Sequence, residues 1–299
     1  MITAGVDLAS HPSGTAIAII EWSEGRSRAA KVVVGADDEL ILDTAIRAQV
    51  VGIGAPFGWP EPFFDLLAEH RRGRISDPRR AASVSGRDDI MYRTTERRVR
   101  EWLGLKLMSS TSNMLGSTVL RCAGLLTRLQ DAGVAVEKQG GGRVSEVYAP
   151  ASLMAWGLHE PSYKKETSVR TRILEQVVRR LSLDLGPYTS LCVESDDALD
   201  ALVAAMTARS IALGHWRQPV DEEETARATT EGWICVPSGT VWSLVGTPTP
   251  AVEPTAVEDI VPAEFLPAET LSAEILPPTL PAPPEMAPSQ WEPRVDPND

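Results

Sequence analysis

The stretch "ESDDALD" (residues 194–200) gathers four carboxylates, Glu194, Asp196, Asp197 and Asp200, at the mouth of an apolar segment. Two readings compete. A helix dipole favours acids in its first turn, and Ser195 or Asp196 suits the N-cap, which accounts for one or two of the four. Asp200 lies one turn in, on the side of Asp197 (i, i+3) and Asp196 (i, i+4), where stacked carboxylates repel unless something positive stands between them. A metal site is the second reading. Residues 198–205 are apolar on nearly all sides, so this helix is expected to be buried.

Two more acids stand where an acid is costly. Asp7 closes the apolar strand "ITAGVD", and Glu146 sits inside the later strand "RVSEVYA". An acid in an apolar strand costs on the order of several kcal/mol unless it is hydrogen-bonded or metal-bound. Asp7 as a turn anchor and Glu146 as the partner of an arginine are the structural readings. Convergence of all three acidic sites is the functional one. Other metal chemistries have little support: Cys122, Cys192 and Cys235 form no CxxC, and His11, His70, His159 and His215 show no ligand spacing.

The elements that must position these acids follow from the pattern. "ITAGVD", "GTAIAIIEW" and "AAKVVVG" read as three strands joined by short polar turns, an antiparallel meander. "DDELILDTAIRA" is an amphipathic helix, and "QVVGIGAPFGWP" gives a buried strand over residues 50–54. Residues 61–133 read as mostly helical, interrupted by a basic segment, 71–100, with ten Arg against four acids. After the glycine run 140–142 come the strand "RVSEVYA", a short helix "PASLMAWGL" and a long amphipathic helix over about residues 166–183. "TSLCVE" reads as a strand or extended approach to the acidic helix, and "EGWICVP" as a last strand.

The charge is unevenly placed. Residues 247–299 hold 13 of the 23 prolines and ten acids against one base, a net −9, which leaves −3 of the whole-chain −12 for residues 1–246. The decaying repeat "VPAEF", "LPAET", "LSAEI" predicts a disordered Pro/Glu-rich acidic tail over 244–299, beyond an α/β domain spanning 1–243. The tail is a linker or a docking segment for a protein partner. No apolar run of membrane-spanning length occurs and Asp7 interrupts any signal peptide, so no membrane association and a cytoplasmic location are expected.

"GVDLAS", "GIGAPFGWP", "EVYAPASLMAWGL" with "SYK", and "DDALDALVAAMTARS…EGWICVP" together resemble the domain-of-unknown-function 429 family over about residues 3–237. That family is described as predicted nucleases of ribonuclease H-like fold. The resemblance implies a ribonuclease H-like mixed sheet with a helical insertion at about 61–133, an order already suggested by strand–strand–strand–helix–strand. It implies an acid at the end of the first strand, matched by Asp7, and a D-x-x-D pair on a late helix, matched by Asp197 and Asp200, although sliding the register pairs Glu194 with Asp197. The family's usual "IDAP" reads Ile53-Gly54-Ala55-Pro56 here, so the fourth-strand carboxylate is absent, and Glu96 stands where the family has Asp.

The resemblance thus implies phosphodiester hydrolysis on a nucleic acid, with Mg²⁺ or Mn²⁺ as the ions that carboxylate ligands suit. Asp7 would bridge two ions, Asp197 and Asp200 would flank them, and Glu146 would ligate or activate water. Arg93, Lys164 and the arginines of 71–100 would contact phosphates. A nucleotide-binding or phosphotransfer protein of the same broad fold is one alternative, and a catalytically impaired nucleic-acid or protein-binding module, motivated by Gly54, is the other. No Walker A sequence occurs.

Overall fold

The computed structural model describes residues 1–246; the Pro/Glu-rich tail lies outside the described residues. The order begins with β1 (Ile2–Asp7), β2 (Ala16–Ser23), β3 (Arg26–Val34), α1 (Asp38–Arg47) and β4 (Val50–Gly54). Helices α2 (Glu61–Arg71), α3 (Pro78–Ala82), α4 (Val84–Met91), α5 (Thr94–Leu103) and α6 (Asn113–Asp131) follow. Then come β5 (Val144–Glu146), α7 (Ala149–Ala155), α8 (Thr167–Leu181), β6 (Leu183–Asp184), α9 (Thr189–Glu194), α10 (Asp196–Ala212) and α11 (Glu222–Glu231).

The six strands form one mixed sheet in the order β5-β4-β1-β2-β3-β6. The first three make the antiparallel meander, while β4 runs parallel to β1 and β5 parallel to β4. Alternation along the strands separates two faces. Ala4, Val6, Ile17, Ile19, Val51 and Ile53 pack with buried side chains of α1 and α6. Ala18, Ile20 and Trp22 pack on the opposite face with α8 and α10.

On that second face α10 lies almost on the backbone of the sheet. A Cβ at Gly5 would stand 2.1 Å from both the Ala201 carbonyl oxygen and the Ala205 nitrogen, and one at Gly52 would stand 2.7 Å from the Ala204 oxygen. Gly5 and Gly52 are register partners across β1 and β4, so together they form a side-chain-free floor for the helix. Residues 198–211 of α10 are all buried, as its apolar sequence requires. Thr3, two residues before Gly5 on the same face, donates its hydroxyl to the Ala205 carbonyl at 2.8 Å and accepts the Trp22 indole N–H at 2.8 Å.

Three elements differ from the sequence expectation. "TSLCVE" is helical, α9, with Cys192 fully buried, because its short span joins the turn after β6 to the cap of α10. "EGWICVP" is extended and buried, but forms only single bridges, Ile234 to Glu146 and Pro237 to Trp216, rather than a ladder. The packed chain also runs past 243: Leu244 is buried and the Gly25 N–H donates to the Val245 carbonyl at 3.3 Å. No helix among the described residues is long and apolar enough to cross a membrane.

The close approach of α10 makes a direct prediction. Gly5→Ala forces a methyl group into helix backbone that cannot move without shifting the core, so it should cost about 3 kcal/mol or more of unfolding free energy. Urea denaturation of the wild type and the variant measures this. A loss below about 1 kcal/mol would contradict the close approach of the helix.

Candidate active site

The floor that seats α10 also brings its first turns to the end of β1. Asp7 follows Gly5 on the same face of the strand, and its register partner is Gly54, the last residue of β4. A Cβ on Gly54 would stand 3.3 Å from Asp7 Oδ1, so the position beside Asp7 lacks a side chain. Both strands end here with their carboxyl ends, the edge at which parallel α/β sheets offer ligand sites.

The acids of α10 divide by role. Ser195 is the N-cap, its hydroxyl accepting the Ala198 N–H at 3.1 Å, so no aspartate is needed for capping. Glu194 ends α9 and is exposed, whereas Asp197 and Asp200 both lie on α10. Asp200 is only 3% exposed. Its carboxylate accepts the Tyr163 hydroxyl at 3.0 Å and the Lys164 ammonium. Lys164 also reaches Asp196 at 3.4 Å, so one lysine lies between two acids a helical turn apart.

Lys164 owes its place to a buried arginine. Arg170, in the first turns of α8, donates Nη1 to the Tyr163 carbonyl at 2.8 Å, Nε to the Val193 carbonyl at 2.7 Å and Nη2 to the Glu194 carbonyl at 3.0 Å. It thereby ties the Tyr163–Lys164 turn to the start of α10. On the other side, Arg121 donates Nη1 to the Ala9 carbonyl at 2.8 Å and to the Thr15 hydroxyl at 2.7 Å, and pairs with Asp38 at 2.7 Å. This pins the turn that follows Asp7.

The electrostatics are strained at one residue above all. Burial, and then the charge of Asp200, hold the Asp7 carboxyl well above the usual aspartate value; Lys164 opposes this without overcoming it. Burial also raises Asp200, against the pull of Lys164 and Tyr163. Burial and Asp196 raise Asp197. For Lys164 burial acts downward, but Asp200 and Asp7 outweigh it and hold the ammonium above the ordinary lysine range. Burial and Asp200 raise the Tyr148 phenol as well, placing that ring within the field of the cluster.

Glu146 and Arg93 stand apart from this cluster, and here the sequence expectation is corrected. They bind each other, through Arg93 Nη2 to Glu146 Oε1 at 2.6 Å and Arg93 Nη1 to Glu146 Oε2 at 2.8 Å, with the two side chains 1% and 2% exposed. The Phe57 N–H donates to Glu146 Oε2 at 2.9 Å, and Arg93 Nε donates to Glu96 at 3.0 Å. With its oxygens taken by these donors, Glu146 offers nothing to an ion, and the sealed guanidinium of Arg93 offers nothing to a phosphate. Three of the other arginines of 71–100 are also paired: Arg97 with Asp89, Arg98 with Glu101 and Glu224, and Arg100 with Asp88.

The sequence reading missed Arg170, Tyr148 and the bond from Tyr163 to Asp200. Their types gave some warning, since "SYK" places a hydroxyl and an ammonium side by side, but the partner lies 36 residues from Lys164. A cleft of about 430 Å³ lies elsewhere, lined by Arg80, Arg97, Arg98, Asp221 and Glu224 among others, and contains none of the clustered aspartates.

For a metal, the donor set fits in chemistry and only in part in number. Carboxylate oxygens with one ammonium among four aspartates suit a hard divalent ion. Among the described residues, however, no three His, Cys, Asp or Glu side chains are gathered closely enough to enclose an ion unaided. Gly54 supplies no ligand and Glu146 is sealed, so a two-ion site does not fit. One ion completed by water and substrate oxygens, as Mg²⁺ commonly is, does.

The protein is therefore an α/β protein with a carboxylate–lysine cluster at the carboxyl ends of two parallel strands. It belongs to the family described as "Protein of unknown function (DUF429)", whose model matches residues 5–225 and so spans every member of the cluster. No curated protein and no solved structure matches the chain.

Two predictions test this division. Asp7 binds its proton more tightly folded than unfolded, so its contribution to stability is present at low pH and is lost as pH rises from its ordinary 3.8 through the raised folded value. Asp7→Asn should therefore stabilise the fold at neutral pH and gain progressively less as pH falls towards 3.8, as read by urea denaturation across pH. Arg93→Met should instead destabilise by about 3–5 kcal/mol, because it leaves buried carboxylates uncompensated. Wild-type stability in that variant would count against the sealed pairing.

Proposed function

We propose that this protein is a divalent-ion-dependent phosphodiester hydrolase of nuclease type, with Asp7, Asp197, Asp200 and Lys164 as its reaction centre. The observation that carries the reading is the placement of Asp7 at the carboxyl end of β1 beside the bare Gly54, within the field of Asp200 and Lys164, which with burial drives its carboxyl far above the ordinary aspartate value. Strongly perturbed carboxyl groups of this kind cluster at functional sites. The opening order of strands and helix, with β1 central in the sheet, supports a ribonuclease H-like arrangement.

Asp7 and Asp200 would hold one Mg²⁺ or Mn²⁺ whose other positions are filled by water and phosphate oxygens, with Asp197 at the rim adding negative charge. When bound, such an ion supplies positive charge to the phosphate oxygens. The chain's own groups carry the rest. The Asp7 carboxylate orients the attacking water by accepting its hydrogen bond, and its raised basicity suits it to take up the proton. Lys164 presents its ammonium to the non-bridging oxygens as charge builds on them. Tyr163 and Arg170 hold Asp200 and the lysine in place. A second reading, a binding module of the same fold, is favoured by the absence of a side chain at Gly54 together with the Lys164–Asp200 pair, which neutralises part of the site without any ion.

Mg²⁺ or Mn²⁺ should raise the melting temperature of the wild type, and Asp7→Asn and Asp200→Asn should each reduce that rise. Both variants should lower hydrolysis of a panel of single-stranded and duplex DNA and RNA by at least about 100-fold. Identical melting curves in metal and in chelator, with no hydrolysis of the panel, would favour the binding module.

A further inference from the structure

Glu146, which lies outside the acidic cluster, shares another task with the buried Glu231. Helices α2 to α4 form an excursion from the sheet, leaving β4 six residues before Pro60 and returning at Arg93. Glu146 accepts the Phe57 N–H on the outgoing side and Arg93 on the returning side. Glu231, at the end of α11, accepts the Glu61 N–H at 2.9 Å and the Thr94 N–H at 2.7 Å. Two buried carboxylates thus hold both ends of the excursion together. Its outgoing end begins at Gly54, beside Asp7.

Away from this root the excursion is a surface element. No side chain of α2 or α3 is fully buried, and Phe64, Leu67, Val84 and Met91 are exposed. Residues 70–87 carry six arginines (Arg71, Arg72, Arg74, Arg79, Arg80 and Arg87) against a single acid, Asp77. All six are exposed, and among the described residues none makes a salt bridge. Arg87 donates to the Ala82 carbonyl, and Arg72 lies near Glu69, whose carboxylate is bonded to Ser76. This is unlike the arginines of α5, which are paired. Over the whole excursion, residues 61–91, the same six arginines meet six acids, so the excess of five positive charges is confined to the stretch 70–87, while Asp88 and Asp89 are engaged by Arg100 and Arg97 and Glu69 by Ser76.

We infer that this arm is the nucleic-acid-docking element of the protein, gripping the phosphate backbone with the unpaired arginines of residues 71–87 and leading it to the sheet edge at Asp7. The assignment of nucleic acid over other polyanions rests on the phosphodiester chemistry proposed for that edge. Runs of unpaired arginines on one element match the regular phosphates of a backbone, and counterion release makes such binding steeply salt-dependent. Exposed Phe64 and Leu67 beside them offer apolar surface for bases that are not paired.

The test uses the full-length chain in the Asp7→Asn background, so that hydrolysis does not enter. Binding of a labelled oligonucleotide, single-stranded and as its duplex, is followed by fluorescence anisotropy against salt. Replacing Arg71, Arg74, Arg79 and Arg80 with Glu should weaken binding at least about tenfold and lower the log–log salt slope by about 3. The four Lys replacements should keep the slope, and all variants should keep the melting temperature, since the side chains are exposed. Retention of both strand forms by the Glu variant, absence of binding in the parent, or binding of phosphatidylserine vesicles in place of oligonucleotide would each overturn the assignment. Activity loss in Asp7→Asn is measured separately, so failure of the arm and failure of the reaction centre are distinguishable.

Discussion

The approach of α10 to the sheet is the constraint from which the site follows. A helix axis ordinarily stands well away from a sheet because side chains on both surfaces interleave. Here the helix presents Ala201, Ala204 and Ala205 while β1 and β4 present Gly5 and Gly52, so the backbones themselves meet. Nothing on either surface can enlarge without shifting the core. The reward is placement: with the helix held by Thr3 and the glycine floor, its first turns lie at the end of β1, and the charge of Asp200 acts on Asp7, two residues beyond Gly5.

The protein treats its buried carboxylates in two different ways. Glu146 is met by a fork of two Arg93 bonds and a backbone N–H, an arrangement that compensates charge with directed donors. Asp200 is met by Tyr163 and Lys164, a partial compensation that leaves its charge acting on Asp7. Among the described residues no donor bonds the Asp7 carboxylate. A residue selected for packing alone would gain by becoming Asn or Ser at this position. Retaining an ionisable group whose charged form is opposed by burial and by a second acid makes sense where that acidity is used.

What could be read from the sequence follows the same line. Asp7 and the Asp197–Asp200 spacing were legible because an acid ending an apolar strand and acids stacked on a buried helix are each costly by type and position alone. The pairing of Glu146 with Arg93 was legible only as one of two alternatives, since the two lie 53 residues apart and the segment from 71 to 100 offers ten arginines of equal local promise. "TSLCVE" was misread because Thr, Cys and Val favour strands intrinsically, a preference that packing of Cys192 and the neighbouring cap of α10 override. "EGWICVP" shows the converse: its four consecutive buried residues, Trp233 to Val236, carry the pattern of an inner strand, yet the edge it meets beside β5 offers only a bridge.

Gly54 ties these points together. It belongs to the face that carries Gly52 and Asp7, and α10 does not cover it as it covers Gly52; the atoms a Cβ there would meet are the Val6 carbonyl at 3.2 Å and Asp7 itself at 3.3 Å. Helix packing therefore does not demand glycine at 54 in the way it demands glycine at 5 and 52. What the missing side chain does is leave the Asp7 carboxyl accessible from the strand end. An acid there would add a third repelling charge to a pair already opposed, and a larger neutral residue would cover the Asp7 carboxyl. The bare position thus works with Lys164: the lysine limits the negative charge held at the sheet edge, and the glycine adds no side chain over the Asp7 carboxyl.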